Sequence, residues 1–440
     1  ALFVVFAILW AFQIAGELGI ALFREQFLVG CLGLAGGAVF LTCRFSREKN
    51  SDVPWFDWLF STLFVVVTFY IAIGYGRLLL DAPYETVEML ILGGILTLLV
   101  LEGMRRVAGG FLFVIVLFFV VYALLAHLVP RPLTGSQSDL GPLAIYLAFD
   151  TNALLGTPLA VSTSIVVLFI FLGQVLFKTG GGEFFTDIAM ATMGKRRGGG
   201  AKISVVASAL FGSISGSAIS NVTTTGVVTI PLMRKSGYSA VDAGAIESNA
   251  STGGQFMPPI MGAAAFLMAE FLEIAYTEVM FAAIIPAVLY YYAVFVQVDL
   301  VAARENISFI QDDLPNWRVV LRDGWHFILP FVILLFALFH LREEAEISAL
   351  YAAGAIVFLG FVRPYQGKRL NFRTLCAAFW DAGLATTELV LIVAAAGLVI
   401  GILNISGGGF ALTLFLVDLG GGNLFVLLAI AAVVCIVLGM

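Results

Sequence analysis

Charge is what this 440-residue sequence has least of: only 12% of its residues are Asp, Glu, Lys or Arg, about half the share in soluble domains. Apolar residues make up 61%, in charge-poor runs from end to end. That excludes a soluble globular chain and predicts an all-α polytopic membrane protein. The four cysteines, Cys31, Cys43, Cys376 and Cys435, lie scattered in apolar segments without a CxxC, so they read as small core hydrophobes rather than a disulfide framework. His127, His326 and His340 are too dispersed to hold a metal. HExxH, GxSxG and GxxxxGK[ST] are all missing, which leaves a membrane-embedded enzyme without metal, nucleophile or nucleotide chemistry and excludes self-contained ATP drive. The net charge of −6 is dispersed and no basic tract suggests nucleic acid. No cleavable signal peptide is evident. The chain starts and stops inside apolar runs, so both ends read as fragment ends.

The chemistry that is there concentrates in Ile203 to Met233, ISVVASALFGSISGSAISNVTTTGVVTIPLM. These 31 residues hold no charge, yet Ser213 to Thr229 carries nine hydroxyl or amide side chains. Lys195, Arg196, Arg197 and Lys202 precede the run; Arg234 and Lys235 follow it. A perpendicular span takes roughly 20 residues, so the run is too long for one span and too short for two. Lys and Arg collect in cytoplasmic loops, which puts both flanks on one side. A re-entrant helical hairpin turning at Ser215-Gly216-Ser217 satisfies these constraints. Broken backbone at membrane depth is tolerated only where it lines a cavity or is buried in protein, so the hairpin points to a transport site.

Other spans are predicted at 1–16, 27–43, 55–75, 86–104, 108–128 and 157–177, then at 238–273, 278–303, 323–341, 346–362 and 376–404, with a last apolar run at 423–440. The segment 143–156 is too short to span and is expected at the outer interface or re-entering. With loop 44–52 cytoplasmic and sides alternating, only Arg24, Arg77, Arg131 and Arg342 fall outside, which leaves 19 of the 23 Lys and Arg inside. The longest cytoplasmic loop, 304–322, has no room for a soluble domain.

Two stretches share one plan. GGG at 180–182, an amphipathic EFFTDIAMATMG and GGG at 198–200 lead into the hairpin. GGG at 407–409, FALTLFLVD and GGG at 420–422 lead into NLFVLLAIAAVVCIVLGM. The first linker carries Lys195, Arg196 and Arg197, the second no Lys or Arg, and five spans separate them. Inverted repeats of this kind characterise secondary transporters, which hold substrate where the repeats meet. A second hairpin is expected to begin near Asn423.

After the hairpin, YSAVDAGAIESNASTGGQFMPPIMGAAAFLMAEFLEI predicts a discontinuous helix. Its first half ends near Ala250, Ser251-Thr252-Gly253-Gly254 breaks it, and Pro258-Pro259 restarts it. The first half presents free carbonyls, suited to Na⁺; the second presents N–H groups, suited to a carboxylate. Candidate ion ligands are Ser213, Ser215, Gly216, Ser217, Asn221, Asn249 and Ser251. Candidate substrate residues are Ser217, Thr224, Thr252, Gly253, Gly254, Gln255 and Pro258. Ser, Thr and Gly also line ordinary helix contacts. Glu247, one turn before the break, is suited to tuning the ion site, relaying protons, or pairing with Arg234 or Lys235. Glu388 is equally open; Asp150 and Asp381 read as solvated or capping.

With SISGSAISNVTTTG, IPLMRKSGY and ESNASTGGQFMPPIMGAAAFLMAEF on the page, the chain resembles the membrane component of TRAP (tripartite ATP-independent periplasmic) transporters, of the fused type found with TAXI-family binding proteins. The likeness covers most of 100–440. Residues 1–106 resemble the small membrane subunit by arrangement, and 107–440 the large one. The resemblance implies an elevator-type transporter with inverted repeats, in a bacterial or archaeal cytoplasmic membrane, monomeric and without a cofactor. It takes up an organic anion such as a dicarboxylate, delivered by a periplasmic solute-binding protein and driven by Na⁺ or H⁺. It places ion and substrate contacts on Ser215 to Ser217 with Asn221, and on Asn249 to Pro259. It also implies a second half of the site after Leu438-Gly439-Met440, which this sequence does not include. The alternatives are a dicarboxylate/Na⁺ symporter that needs no binding protein and, from another class, the membrane-embedded enzyme.

Overall fold

The computed structural model describes every residue except 44, 46–52, 131–133, 309–313 and 440. Most of loop 44–52, Arg131, the middle of loop 304–322 and Met440 therefore lie outside the described residues. The described chain is helical throughout, with one isolated antiparallel bridge between Tyr365 and Lys368.

Eight of the described helices are long and apolar enough to cross a membrane: Arg24–Thr42, Trp55–Tyr84, Val87–Ala108, Gly110–Leu128, Thr157–Lys178, Tyr276–Arg304, Ala345–Val362 and Phe372–Ile405. They coincide with runs that the sequence marks as spans, and the protein is a multi-pass membrane protein. The segment 143–156, too short to span, overlaps the short apolar helix Leu140–Phe149.

Two expected spans are not single straight helices. The run 1–16 is not one helix: Leu2–Ala11 ends, Gln13 takes a φ of 51°, and one turn, Ile14–Glu17, follows. The run 323–341 is a bent pair, Trp317–Phe327 and Leu329–Leu341, meeting at 47°. Pro330 sits in the first turn of the second piece, where its missing N–H is harmless but from which the preceding helix cannot continue straight.

Packing divides the chain into two compact units, Ala1–Ile20 with Val161–Thr386, and Ala21–Ala160 with Thr387–Met440. In the second, Arg24–Thr42 lies against Trp55–Asp81 across small residues. A Cβ on Gly36 would come within 2.5 Å of the Phe64 ring, and Ser61 Oγ donates to the Gly37 carbonyl at 2.8 Å. Such close approach supplies helix association where lipid cancels the hydrophobic term. The first unit carries the hairpin and the broken helix.

The glycine plan appears at both places. Gly180 (φ 102°) precedes Gly181–Met193, and Gly407 (φ 70°) precedes Gly408–Leu419. Gly198 (φ 62°) opens Gly199–Ser215; Gly422 (φ 74°) and Asn423 open Leu424–Gly439, with Asn423 Oδ1 accepting from the Phe425 N–H at 2.9 Å. Glycine adopts this left-handed backbone without steric cost.

One buried ion pair anchors the second unit. Arg106, 2% exposed, donates to Asp57, fully buried, at 2.6 Å, pairs with Glu102 at 2.9 Å and lies over the Phe40 ring. Asp57→Ala removes one of its two carboxylates and is expected to cost about 3 kcal/mol or more, read as a lower unfolding temperature of the solubilised protein. An unchanged temperature would show that the pair is not structural.

Candidate functional site

The run from 203 to 233 folds as two helical arms, Gly199–Ser215 and Ala218–Lys235, joined at Gly216 and Ser217. Apart from starting four residues earlier and ending two later, it is the expected hairpin, with its tip on the expected residues. Gly216 has a φ of 58°, and a Cβ there would lie 2.0 Å from the Met261 carbonyl oxygen. No other residue fits the turn. Ser217 caps the second arm, its Oγ accepting from the Ser220 N–H at 3.3 Å.

The tip is seated on the break of the next helix, which runs Ala240–Thr252, tightens into a 3₁₀ turn at Gly253–Gln255 and resumes at Ala263–Phe271. The Ile260 N–H donates to the Ser213 carbonyl at 3.2 Å and the Gly262 N–H to the Gln255 carbonyl at 2.6 Å. Gly212 and Gly254 meet backbone to backbone: a Cβ on Gly254 would be 2.6 Å from Gly212 Cα. The restart is corrected from Pro258 to Ala263. A proline disfavours helix in the residue before it, so the Pro258-Pro259 pair holds Met257 and Pro258 out of helical conformation, and the chain turns through 258–260 before winding again.

This brings two helix N-termini together. The second arm begins at Ala218 behind Ser217, and the restarted helix begins at Ala263 behind Gly262. A Cβ on Gly262 would lie 3.0 Å from the Gly216 carbonyl oxygen, so the two starts touch. Each carries unpaired N–H groups and partial positive charge, the elements of an anion site.

The opposite end of the break differs from expectation. Its carbonyls are not free: Tyr290 Oη donates to the Asn249 carbonyl at 2.8 Å and Tyr291 Oη to that of Ala250 at 3.0 Å. Tyr276 Oη donates to the Pro259 carbonyl at 2.8 Å and also to that of Ile260. Gly253 lies under the tyrosine pair, where a Cβ would come within 2.7 Å of both rings.

Glu247 is fully buried between the arms and the first half-helix. Oε2 accepts from Ser204 Oγ at 2.6 Å and from Thr229; Oε1 accepts from Thr225, from Ser251 Oγ at 3.2 Å and from Ser208 Oγ at 3.3 Å. No ion pair among the described residues includes it, so the expected alternative of pairing with Arg234 or Lys235 is not realised. Asn221, also fully buried, donates from Nδ2 to the Ser208 carbonyl at 2.9 Å and the Ser251 carbonyl at 3.5 Å.

Of the residues singled out in sequence, Ser213, Gly216, Ser217, Asn221, Ser251, Gly253 and Gly254 gather around tip and break. Ser215 Oγ points along the tip to the Ser217 carbonyl at 3.5 Å, and half-buried Pro258 lies in the connecting turn. Asn249, Thr252 and Gln255 are exposed, and Thr252 Oγ1 is turned back to the Ser248 carbonyl. Thr224 faces elsewhere, its methyl toward Gly182; its neighbour Thr225 is the one that reaches the carboxylate. Away from the break, Asp381 pairs with Lys178 at 2.6 Å, Asp150 caps the turn at Asn152, and exposed Glu388 accepts from Cys43.

Comparison with known proteins matches residues 95–440 to the family model described as tripartite ATP-independent periplasmic transporter, DctM component. The chain belongs to this family. It is 27% identical over 238 residues to the C4-dicarboxylate TRAP transporter large permease protein DctM of Pseudomonas aeruginosa, an alignment spanning 53% of this chain and 54% of that protein. The corresponding DctM of Vibrio cholerae is 25% identical over 253 residues (53% and 55%). The 2,3-diketo-L-gulonate TRAP transporter large permease protein YiaN of Escherichia coli is 22% identical over 236 residues (52% and 53%). The chain thus spans about half the length of these curated relatives.

In this DctM-family chain the residues missed in sequence are the partners of the conspicuous ones. Ser204 and Ser208, and Thr225 and Thr229, lie four apart and so share a helix face; that spacing was the available signal for a polar stripe facing Glu247. Tyr290 and Tyr291 sit inside an apolar span, where a buried phenol needs an acceptor. Tyr291→Phe leaves the buried Ala250 carbonyl without its donor and is expected to cost about 1–3 kcal/mol, seen as a lower unfolding temperature. Gly254→Ala should be at least as damaging, because its Cβ would press on the Gly212 backbone at 2.6 Å and on the buried Asn221 amide at 3.2 Å. Wild-type stability in both variants would show that tip and break are not packed as described.

Proposed function

We propose that this chain is the membrane part of a secondary, ion-coupled uptake system for an organic anion, a carboxylate. The observation that carries the proposal is the meeting of two helix N-termini at Gly216 and Gly262, beside the Ser217 cap. Unpaired N–H groups and aligned dipoles attract an anion without a fixed cationic side chain, and this is how broken helices in secondary transporters hold carboxylates. Two of the matched relatives are named for C4-dicarboxylate and one for 2,3-diketo-L-gulonate, which supports a carboxylate, and family membership favours transport over the membrane-embedded enzyme.

The anion is delivered by a periplasmic solute-binding protein of the TAXI kind, and an inward Na⁺ gradient drives uptake, with H⁺ as the alternative ion. Residues 1–106 act as the small-subunit-like region and 107–440 as the transporter region, moving as an elevator in the inner membrane. Substrate contacts come from Ser217 and the turn around Gly253, Gly254 and Gly262; exposed Thr252 and Gln255 border the break.

Uptake of a labelled dicarboxylate into proteoliposomes tests this reading. It should require the binding protein and an inward Na⁺ or H⁺ gradient. Uptake without the binding protein would replace the reading with the symporter alternative; uptake without any gradient would end it. Ser217→Ala removes a hydroxyl at the anion and is expected to raise the half-saturating substrate concentration roughly tenfold, the worth of one hydrogen bond to a charged group. An unchanged value would move the anion away from the tip.

A further inference from the structure

One cavity, within the second unit, has no part in the transport reading. It measures about 220 Å³, more than the roughly 150 Å³ that holds a benzene ring in an apolar core. Its walls come from the end of Trp55–Asp81, the turn after it, the start of Val87–Ala108 and the helix Leu140–Phe149. The last two helices touch at Gly93, where a Cβ would lie 2.6 Å from the Ala144 carbonyl oxygen. One turn nearer the helix start, Met89 lines the cavity with Ile145.

Two carboxylates and two phenols give the cavity its chemistry. Glu85 and Asp150 line it, and no Lys or Arg does. Arg77, beside the lining residue Leu78, is held by Glu88 at 3.1 Å and Tyr70 at 3.2 Å. Asp150 spends Oδ1 on the backbone and side-chain amides of Asn152, at 2.8 and 2.9 Å, and Oδ2 takes no hydrogen bond among the described residues. Tyr75 is 3% exposed and packs its ring on Phe23. Its hydroxyl nevertheless makes no hydrogen bond among the described residues, and Glu25 and Asp150 stand within electrostatic reach of it. A buried phenol ordinarily finds a partner. Tyr146, four residues before Asp150 and so on the same helix face, is the second phenol on the wall.

We propose that this cavity binds an ammonium group carried on a short apolar stem. Glu85 and Asp150 supply the opposite charge, and Tyr75 Oη accepts one ammonium N–H. The rings of Tyr75, Tyr146 and Phe149 suit a cation among them, and Leu78, Leu79 and Met89 cover the stem. An anion would meet two carboxylates and no cation, so the cavity is not a second seat for a carboxylate. A metal would find too few ligands: among the described residues no three of His, Cys, Asp and Glu are grouped to hold one. A wholly apolar guest would leave both charges and the Tyr75 hydroxyl uncompensated. With loop 44–52 cytoplasmic, the turn at 81–86 faces outward, so the ammonium arrives from the outer leaflet or the outer solution. An ethanolamine lipid headgroup and a soluble amine present the same chemistry there. Either one joins residues 75–89 of the small-subunit-like region to 145–150 and stabilises the folded second unit by linkage.

Calorimetric titration of the full chain in detergent tests the site, with phenethylammonium as the probe and phenethyl alcohol as its neutral counterpart. The ammonium should bind saturably and the alcohol at least roughly tenfold more weakly. Asp150→Asn keeps an oxygen for the Asn152 amides and should weaken the ammonium roughly tenfold, whereas Tyr75→Phe keeps the ring and should weaken it roughly fivefold. Glu85→Gln alters only an exposed turn residue, folds even if the other two do not, and should weaken it about threefold. Phosphatidylethanolamine added to lipid-stripped protein identifies the source. Competition by it and not by phosphatidylglycerol assigns the site to a lipid headgroup; no competition assigns it to a soluble amine. Absence of ammonium binding, equal binding of amine and alcohol, or an affinity unchanged in Asp150→Asn and Glu85→Gln overturns the site. Any of these leaves the transport reading untouched, since none of the residues belongs to the hairpin or the break.

Discussion

A carboxylate with five hydroxyls around it and, among the described residues, no Lys or Arg paired to it organises the first unit. Glu247 is satisfied only if Ser204 and Ser208 on one arm, Thr225 and Thr229 on the other, and Ser251 on its own helix all face it. In lipid no water stands in for a missing partner, so the two arms and the half-helix are held to one rotation and one depth. The tip inherits that register: Gly212 lands on Gly254 and Gly216 on Met261 because the helices carrying them are locked one to two turns below.

The same constraint explains the tyrosines. Breaking a helix inside a membrane exposes carbonyls on one side of the break and N–H groups on the other. Here the two ends are treated differently. The Asn249 and Ala250 carbonyls are closed by Tyr290 and Tyr291, whereas the starts at Ala218 and Ala263 carry only their caps, Ser217 and Gly262. The break is therefore electrostatically lopsided, with partial positive charge at the two helix starts and the carbonyl end occupied by Tyr290 and Tyr291.

Much of this was legible in the residues. Glycine triplets marked the helix starts, since the left-handed backbone at Gly180, Gly198 and Gly407 is one that glycine accepts freely. The hairpin and its tip followed from length and matching basic flanks. The restart of the broken helix did not, because Pro259 acts on Pro258, and a rule for proline opening a helix does not see a proline before it. The first predicted span failed for a comparable reason: hydropathy counts Gln13 as one polar residue in a long run, while its backbone ends the helix. Thr224 and Thr225 are indistinguishable by composition, and helix rotation alone sends one to Gly182 and the other to Glu247.

Sequence by itself determined the class of molecule, the hairpin, the existence of a break and the gathering of polar side chains near it, since all of these depend on periodicity, length and local backbone preference. Family membership likewise resides in local motifs. Tertiary structure alone decided which polar atoms remain available. Tyr290 closes a carbonyl 41 residues away, and Ser204 reaches a carboxylate 43 residues on. Satisfaction of a buried group is a property of neighbours in space, and no local rule lists them.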